Sequence, residues 1–183
     1  MSSRHIALLR GINVGKAKRV AMAELRALFE QLGFRDVRTL LNSGNVVFTV
    51  IRPKKNLGPA LEKAIAERLG VTSRVTILTA AELDAIVAAN PLLKVATNHS
   101  RLMVSVVNSA ADMERLQPLL KREWGADRIG VGPRVAYLWC PDSILDSEVA
   151  IAVAKMLGDG VTSRNWTTIS KLHALVKSKA THP

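Results

Sequence analysis

Side chains able to hold a charged ligand are concentrated in three short polar stretches. The first is Leu9-Arg10-Gly11-Ile12-Asn13-Val14-Gly15-Lys16, where the apolar run His5 to Leu9 stops at an arginine and two glycines. The second is Asn42-Ser43-Gly44-Asn45, and the third is Thr162-Ser163-Arg164-Asn165-Trp166. Glycines 11, 15 and 44 let backbone N–H groups approach a ligand closely. Arg10, Lys16 and Arg164 supply positive charge, and Asn13, Ser43, Asn45 and Asn165 supply neutral donors and acceptors. Such a set builds a nest for an anion. The competing reading makes the same residues turn and cap elements that tie loops together.

Other chemistries fit less well. Gly11 to Ala17 approaches a phosphate-binding P-loop, but three residues rather than four separate the glycines, and Ala17 lacks the hydroxyl that would hold magnesium. His5, His99, His173 and His182 share no ligand-like spacing with one another or with Cys140, so neither a metal nor a cofactor is expected. Cys140 reads as a small core residue. Asp142 and Asp146, with Ser143 and Ser147, crowd the start of a helix, where acids and hydroxyls serve as caps. No Ser-His-Asp arrangement is visible. An open RNA-stacking sheet needs aromatics on its first and third strands. Here Ile6-Ala7-Leu8-Leu9 has none and the third strand offers only Phe48.

The chain of 183 residues carries a net charge of +11, and the charge is uneven. Residues 1–97 hold 15 basic and 7 acidic groups, against 11 and 8 in residues 98–183. Met1 to Ala23 and Gly160 to Pro183 contain no acid at all. A basic surface attracts nucleic acid or small anions, though it also serves solubility alone. No apolar stretch approaches the roughly 20 residues of a membrane span. Without an evident signal peptide, and with a single cysteine, the expected location is the cytoplasm.

The elements that must position these stretches follow from periodicity. His5 to Leu9 is apolar at consecutive positions, as in a strand buried on both faces. Met22, Leu25, Leu28, Phe29 and Leu32 repeat at helical spacing, with Gly33 at the C-terminal stop. Asp36 to Leu41 and Val46 to Val50 form a hairpin around the Asn42 turn. A helix from Leu57 to Gly70 and a strand from Arg74 to Leu78 complete a β-α-β-β-α-β unit of ferredoxin-like type. Thr79-x-x-Glu82 is a capping box that opens another helix, ended by Asn90-Pro91.

Residues 91–183 repeat the plan. The expected elements are a strand at 102–107 and a helix at 109–124 broken by Pro118 near Leu116. A hairpin across Gly132-Pro133 and a helix at 144–157 follow. In place of a closing strand only Val161-Thr162-Ser163 is evident, with the last helix beginning in Thr162 to Trp166. Its free N–H groups would favour an anion beside Arg164 and Asn165. The predicted class is therefore α+β: two ferredoxin-like β-α-β-β-α units, 1–90 and 91–183, packed into one body, with mostly antiparallel sheets and an extra C-terminal helix returning towards the first half.

This topology makes a geometric statement. The first two strands run parallel with the third between them, so their C-terminal ends share one edge. Arg10, Gly11 and Asn13 should then lie near Ser43, Gly44 and Asn45.

Read together, Leu9-Arg10-Gly11-Ile12-Asn13-Val14-Gly15, Met22-x-x-Leu25, Leu32-Gly33-Phe34-x-x-Val37, Ser43-Gly44-Asn45-Val46-Val47-Phe48 and Thr162-x-Arg164-Asn165-Trp166-x-Thr168-x-x-Lys171-Leu172 resemble the bacterial family known as domain of unknown function 1697. The resemblance spans nearly the whole chain. It implies a compact α/β protein with ferredoxin-like halves and brings no established activity. Lys16 stands where a second glycine is usual, and Asp142 to Ser147 lacks the glycines and the basic residue common there.

The expected function is binding of a phosphate-bearing partner, nucleic acid ahead of a small nucleotide. Arg10, Lys16 and Arg164 would contact phosphate, and Asn13, Ser43 and Asn45 would position it. The alternatives are an enzyme acting on a small anionic metabolite in the same cleft, which would need a proton-transfer group there, or a structural or oligomeric role.

Overall fold

The structure is a computed structural model and describes residues 3–14 and 19–178. Contacts divide the chain into two units. One comprises the residues up to Leu83 joined by those from Leu172 onward, and the other is Asp84–Lys171.

The first unit contains β1 (Ser3–Leu9), α1 (Met22–Gln31), β2 (Arg35–Leu40), β3 (Asn45–Val50), α2 (Leu57–Leu69) and β4 (Val75–Thr79). Its sheet runs β2-β3-β1-β4, with β1 antiparallel to both β3 and β4 and β3 antiparallel to β2. That is the ferredoxin-like order read from the sequence. Ala7, Leu9, Val46, Phe48 and Val50 pack with Leu25, Phe29, Leu61 and Ile65 of the two helices. Ile6 and Leu8, alternating with Ala7 and Leu9, are equally inaccessible, all four at 0% exposure. Both faces of β1 are therefore covered, and no open platform exists there for stacking bases.

Local chemistry explains where α1 stops. Gly33 adopts φ +85° and its amide donates to Glu30 O at 3.0 Å, while the Phe34 amide donates to Phe29 O at 3.2 Å. The Phe29 and Phe34 rings pack 5.8 Å apart. This pair of bonds with its apolar clasp is a Schellman motif, which satisfies carbonyls a helix end would otherwise leave unpaired.

Helix α3 (Ala80–Ala88) leads from the first unit into the second, opened by the expected capping box. The Thr79 amide donates to Glu82 Oε2 at 2.8 Å, and the Glu82 amide to Thr79 Oγ1 at 3.1 Å. The second unit then contains β5 (Leu102–Val107), α4 (Ala110–Arg115), α5 (Gln117–Leu120), β6 (Arg128–Gly132), β7 (Val135–Trp139), α6 (Glu148–Leu157) and β8 (Val161–Asn165). Its sheet runs β6-β7-β5-β8, the same order as the first. The helix break falls at Leu116, before Pro118, as the missing proline N–H requires. Tyr137 is fully buried beneath this sheet, its hydroxyl donating to Ile86 O at 2.6 Å. Burial pushes the phenol up to about 12. Cys140 is likewise buried, as expected of a core residue, and burial raises its thiol.

Two expectations are corrected. The closing strand is complete: β8 pairs with β5 from Val161↔Val107 to Asn165↔Met103, with Ser105 and Ser163 hydroxyls 2.8 Å apart. Its polar Thr-Ser-Arg-Asn run conceals a strand that tertiary pairing imposes. Helix α6 starts at Glu148 rather than Ile144, because the Ser147 hydroxyl caps it, accepting from the Ala150 amide at 3.2 Å.

Helix α7 (Trp166–Lys177) begins in the second unit and ends in the first. In the first unit its last turn is held by two arginines from the sheet. Arg4 donates to the carbonyls of Val176 and Ser178, and Arg38 donates to Leu175 O at 2.8 Å and Ser178 Oγ at 2.7 Å. These are the unpaired carbonyls of a helix C-terminus, and cations are favourable there. Burial and the neighbouring Arg4 lower the Arg38 pKa from its ordinary value.

Candidate functional site

The C-terminal ends of β1 and β2 meet as the topology requires: Leu8 and Leu40 both stand opposite Asn45 of β3. The Leu9 amide donates to Gly44 O at 2.8 Å, and the Arg10 amide to Arg74 O at 2.9 Å. The loop after β1 is thereby fixed between the β2–β3 turn and the start of β4. Ser73 adds a bond from its hydroxyl to Arg10 O at 2.9 Å.

Asn13 is the hub of this edge. It sits at φ +55°, a left-handed conformation that asparagine tolerates better than most residues. Its Nδ2 donates to Asn42 O at 2.7 Å and Val20 O at 2.9 Å, while Oδ1 accepts from the Val20 amide at 2.8 Å. Both amide hydrogens and one oxygen lone pair are committed to backbone. Asn45 is fully buried and donates to Leu40 O at 2.8 Å and Ser43 Oγ at 2.9 Å. Gly44, at φ +76°, leaves no room for a side chain, since a Cβ would lie 2.7 Å from both Ile12 Cδ1 and Leu9 Cβ. These residues shape the edge, and the asparagine amides face the protein's own backbone.

Beside them opens a cleft of about 440 Å³, lined among the described residues by Asn13, Arg19, Val20, Ala21, Met22 and Asn42. Arg19 is exposed at its rim. The Arg19 guanidinium and the Asn42 carboxamide can bind and orient an anion, but neither exchanges a proton near neutral pH, and the Asn13 amide hydrogens are already spent on backbone. Glu62 of α2 is engaged by Arg74 at 3.1 Å and by the Val75 amide at 2.9 Å. Asn42 stood in the second polar stretch read from the sequence, but neither it nor Arg19 was assigned a ligand contact. The acid-free run Met1 to Ala23 was the signal that contained Arg19.

The second unit repeats this scaffold. Val107 N donates to Arg134 O at 2.8 Å, and Asn108 N to Gly160 O at 3.0 Å, matching the Leu9 and Arg10 bonds. Arg134, at φ +59°, takes the left-handed place of Gly44. The chemistry differs. A Cβ on Gly160 would lie 2.9 Å from Asp112 Oδ1, and Asp159 borders the same turn, so carboxylates crowd this edge. An anion reading therefore attaches to the first unit's edge alone.

The remaining predicted residues are placed as follows. Gly11 is exposed at φ +67° with nothing within 4 Å of a notional Cβ. Gly15 and Lys16 lie outside the described residues. Arg164 and Asn165 belong to the second unit and end β8. The Asn165 Oδ1 accepts from the Thr168 amide at 2.9 Å and its hydroxyl at 2.8 Å, the N-cap of α7. Arg164 is held to Ser163 O at 2.8 Å, and burial lowers its pKa to about 10, so it remains charged at neutral pH. Among the described residues no cluster of His, Cys, Asp and Glu could hold a metal ion, and no helix is long and apolar enough to cross a membrane.

A family model described as protein of unknown function (DUF1697) matches residues 2–137. The chain belongs to this family. Among solved structures, this DUF1697 member is similar to the conserved bacterial protein SP0830 from Streptococcus pneumoniae, with 24% identity and a TM-score of 0.81. The likeness covers 97% of this chain and 100% of that one, and it extends to the fold. No curated protein matches the DUF1697 chain.

Proposed function

We propose that this protein binds a phosphate-bearing partner, nucleic acid ahead of a free nucleotide, at the edge where β1 and β2 end. The observation that carries the reading is the cleft of about 440 Å³ with Arg19 at its rim and no carboxylate among its described lining residues. Arg10 leaves β1 at the same edge, and Lys16 follows in the same loop of the sequence. Asn13, Asn45 and Gly44 serve by holding the loops that present these cations. Ser43, exposed on the turn, accepts from Asn45 Nδ2 at 2.9 Å and would help position the ligand. A net charge of +11 favours a long polyanion over a small one, because each further phosphate met by a cation releases another counterion.

The test is a salt titration of binding to mixed-sequence single-stranded RNA and duplex DNA. Affinity should fall linearly on a log–log plot, and Arg10→Ala and Arg19→Ala should each reduce the slope by about one. Absence of binding at low salt by protein of unchanged circular dichroism would overturn the proposal.

A further inference from the structure

At the opposite end of α1 lies a second cleft, of about 390 Å³, between the Leu32-Gly33-Phe34 stop, the start of β2 and the end of β3. Its accessible apolar surface comes from exposed Ile51 and half-buried Leu32, over buried Phe34 and Val50, and its charge from Arg35, Arg52 and Lys54. Among the described residues no carboxylate lines it. Lys54 is engaged, its Nζ 4.7 Å above the Phe34 ring and 3.3 Å from Leu32 O. Arg35 and Arg52 are exposed and have no ion-pair partner among the described residues. Ile51, 43% exposed, lines the same cleft next to Arg52 in the chain.

We infer that this cleft docks an acidic peptide segment that carries an apolar anchor residue. Two unneutralised guanidinium groups beside an apolar floor match carboxylates flanking an aliphatic or aromatic side chain, and arginine suits carboxylates through paired N–H donors. Nucleic acid fits less well, because the cleft's one aromatic ring is 5% exposed and covered by Lys54, so no π-face is open to a base. A peptide would be held by side chains rather than added as a strand. The register of β2 shifts between Arg35 and Arg38, with Asp36 at φ +50°, and a bulged edge resists strand pairing.

The inference does not rest on the phosphate-binding edge, and its test separates the two. The probe is a short fluorescent peptide with a central Leu-Phe pair flanked by Asp and Glu, titrated against the full chain by anisotropy. Expected are saturable binding, a loss of about tenfold on Arg35→Ala with Arg52→Ala, and no change on Arg19→Ala. Replacing Leu-Phe by Ser-Ser in the peptide should also weaken binding about tenfold or more. Equal binding of the Ser-Ser peptide, or undiminished binding by the double variant, would overturn the inference. So would protection of Arg35 and Arg52 by an RNA oligonucleotide, but not by the peptide, in guanidinium-modification footprinting. Both arginines are exposed, and circular dichroism of the double variant controls for folding.

Discussion

Gly44 and Ile12 are packed so closely that a single carbon added to Gly44 would sit 2.7 Å from Ile12 Cδ1. Ile12 is buried at the root of the loop after β1, and Gly44 is the turn glycine after β2. The candidate site thus depends on a backbone-to-side-chain contact that neither segment could make alone. Gly44→Ala must displace buried Ile12 as well as strain a left-handed backbone, so it should cost about 3 kcal/mol or more. Gly70→Ala is the control, with φ +67° but nothing within 4 Å of the new atom. It should cost about 1 kcal/mol. Urea denaturation of both variants measures the difference.

Asn13→Ala removes three hydrogen bonds and leaves the amide of buried Val20 without its acceptor. A loss of about 2–3 kcal/mol is expected, since an unsatisfied buried donor costs more than the bond it replaces. Amide hydrogen exchange should accelerate at Val20 and spare Val107, whose equivalent loop lies in the other unit.

Tyr137 is the chain's one tyrosine, and it keeps its proton in the folded state until about pH 12. In the unfolded chain the phenol ionises near pH 10. Between these values the native state holds the extra proton, so stability present below pH 10 is lost as pH rises towards 12. Tyr137→Phe should abolish that component of the alkaline decline while costing about 1 kcal/mol at neutral pH, where Ile86 O loses its donor. Tyrosinate absorbance followed beside thermal melts reads both quantities.

Arg38→Ala should loosen the end of α7, because Leu175 O and Ser178 Oγ lose their donor. A charged donor at a helix C-terminus is worth about 1 kcal/mol. Exchange at amides near Val176 should rise more than at Ile169, which lies in the early part of the same helix.

Much of this fold was legible in the sequence wherever local chemistry and tertiary structure agree. Leu32-Gly33-Phe34 announced a helix stop, and Thr79-x-x-Glu82 announced a helix start, because both motifs are completed by atoms a few residues apart. The convergence of Arg10 and Gly44 followed from topology alone. β8 was not legible, since Thr162, Ser163, Arg164 and Asn165 are strand only by virtue of their ladder with β5. Asn165, expected at the mouth of the last helix, stands there as its cap, accepting from Thr168. Asn13 shows a second limit. Its type suited ligand contact equally well, and only the position of Val20 and Asn42 commits its amide to the protein's own backbone.

The clasp of Arg4 and Arg38 on Leu175, Val176 and Ser178 has a consequence for how the chain is made. These arginines leave the ribosome 137 to 174 residues ahead of their acceptors. The first sheet can pair its strands once β4 is made, but this part of its cover arrives only after the whole of the second unit has been synthesised. Until then Arg4 and Arg38 must remain solvated, so a nascent chain arrested before residue 172 should be more open to proteolysis at β1 and β2 than the finished protein.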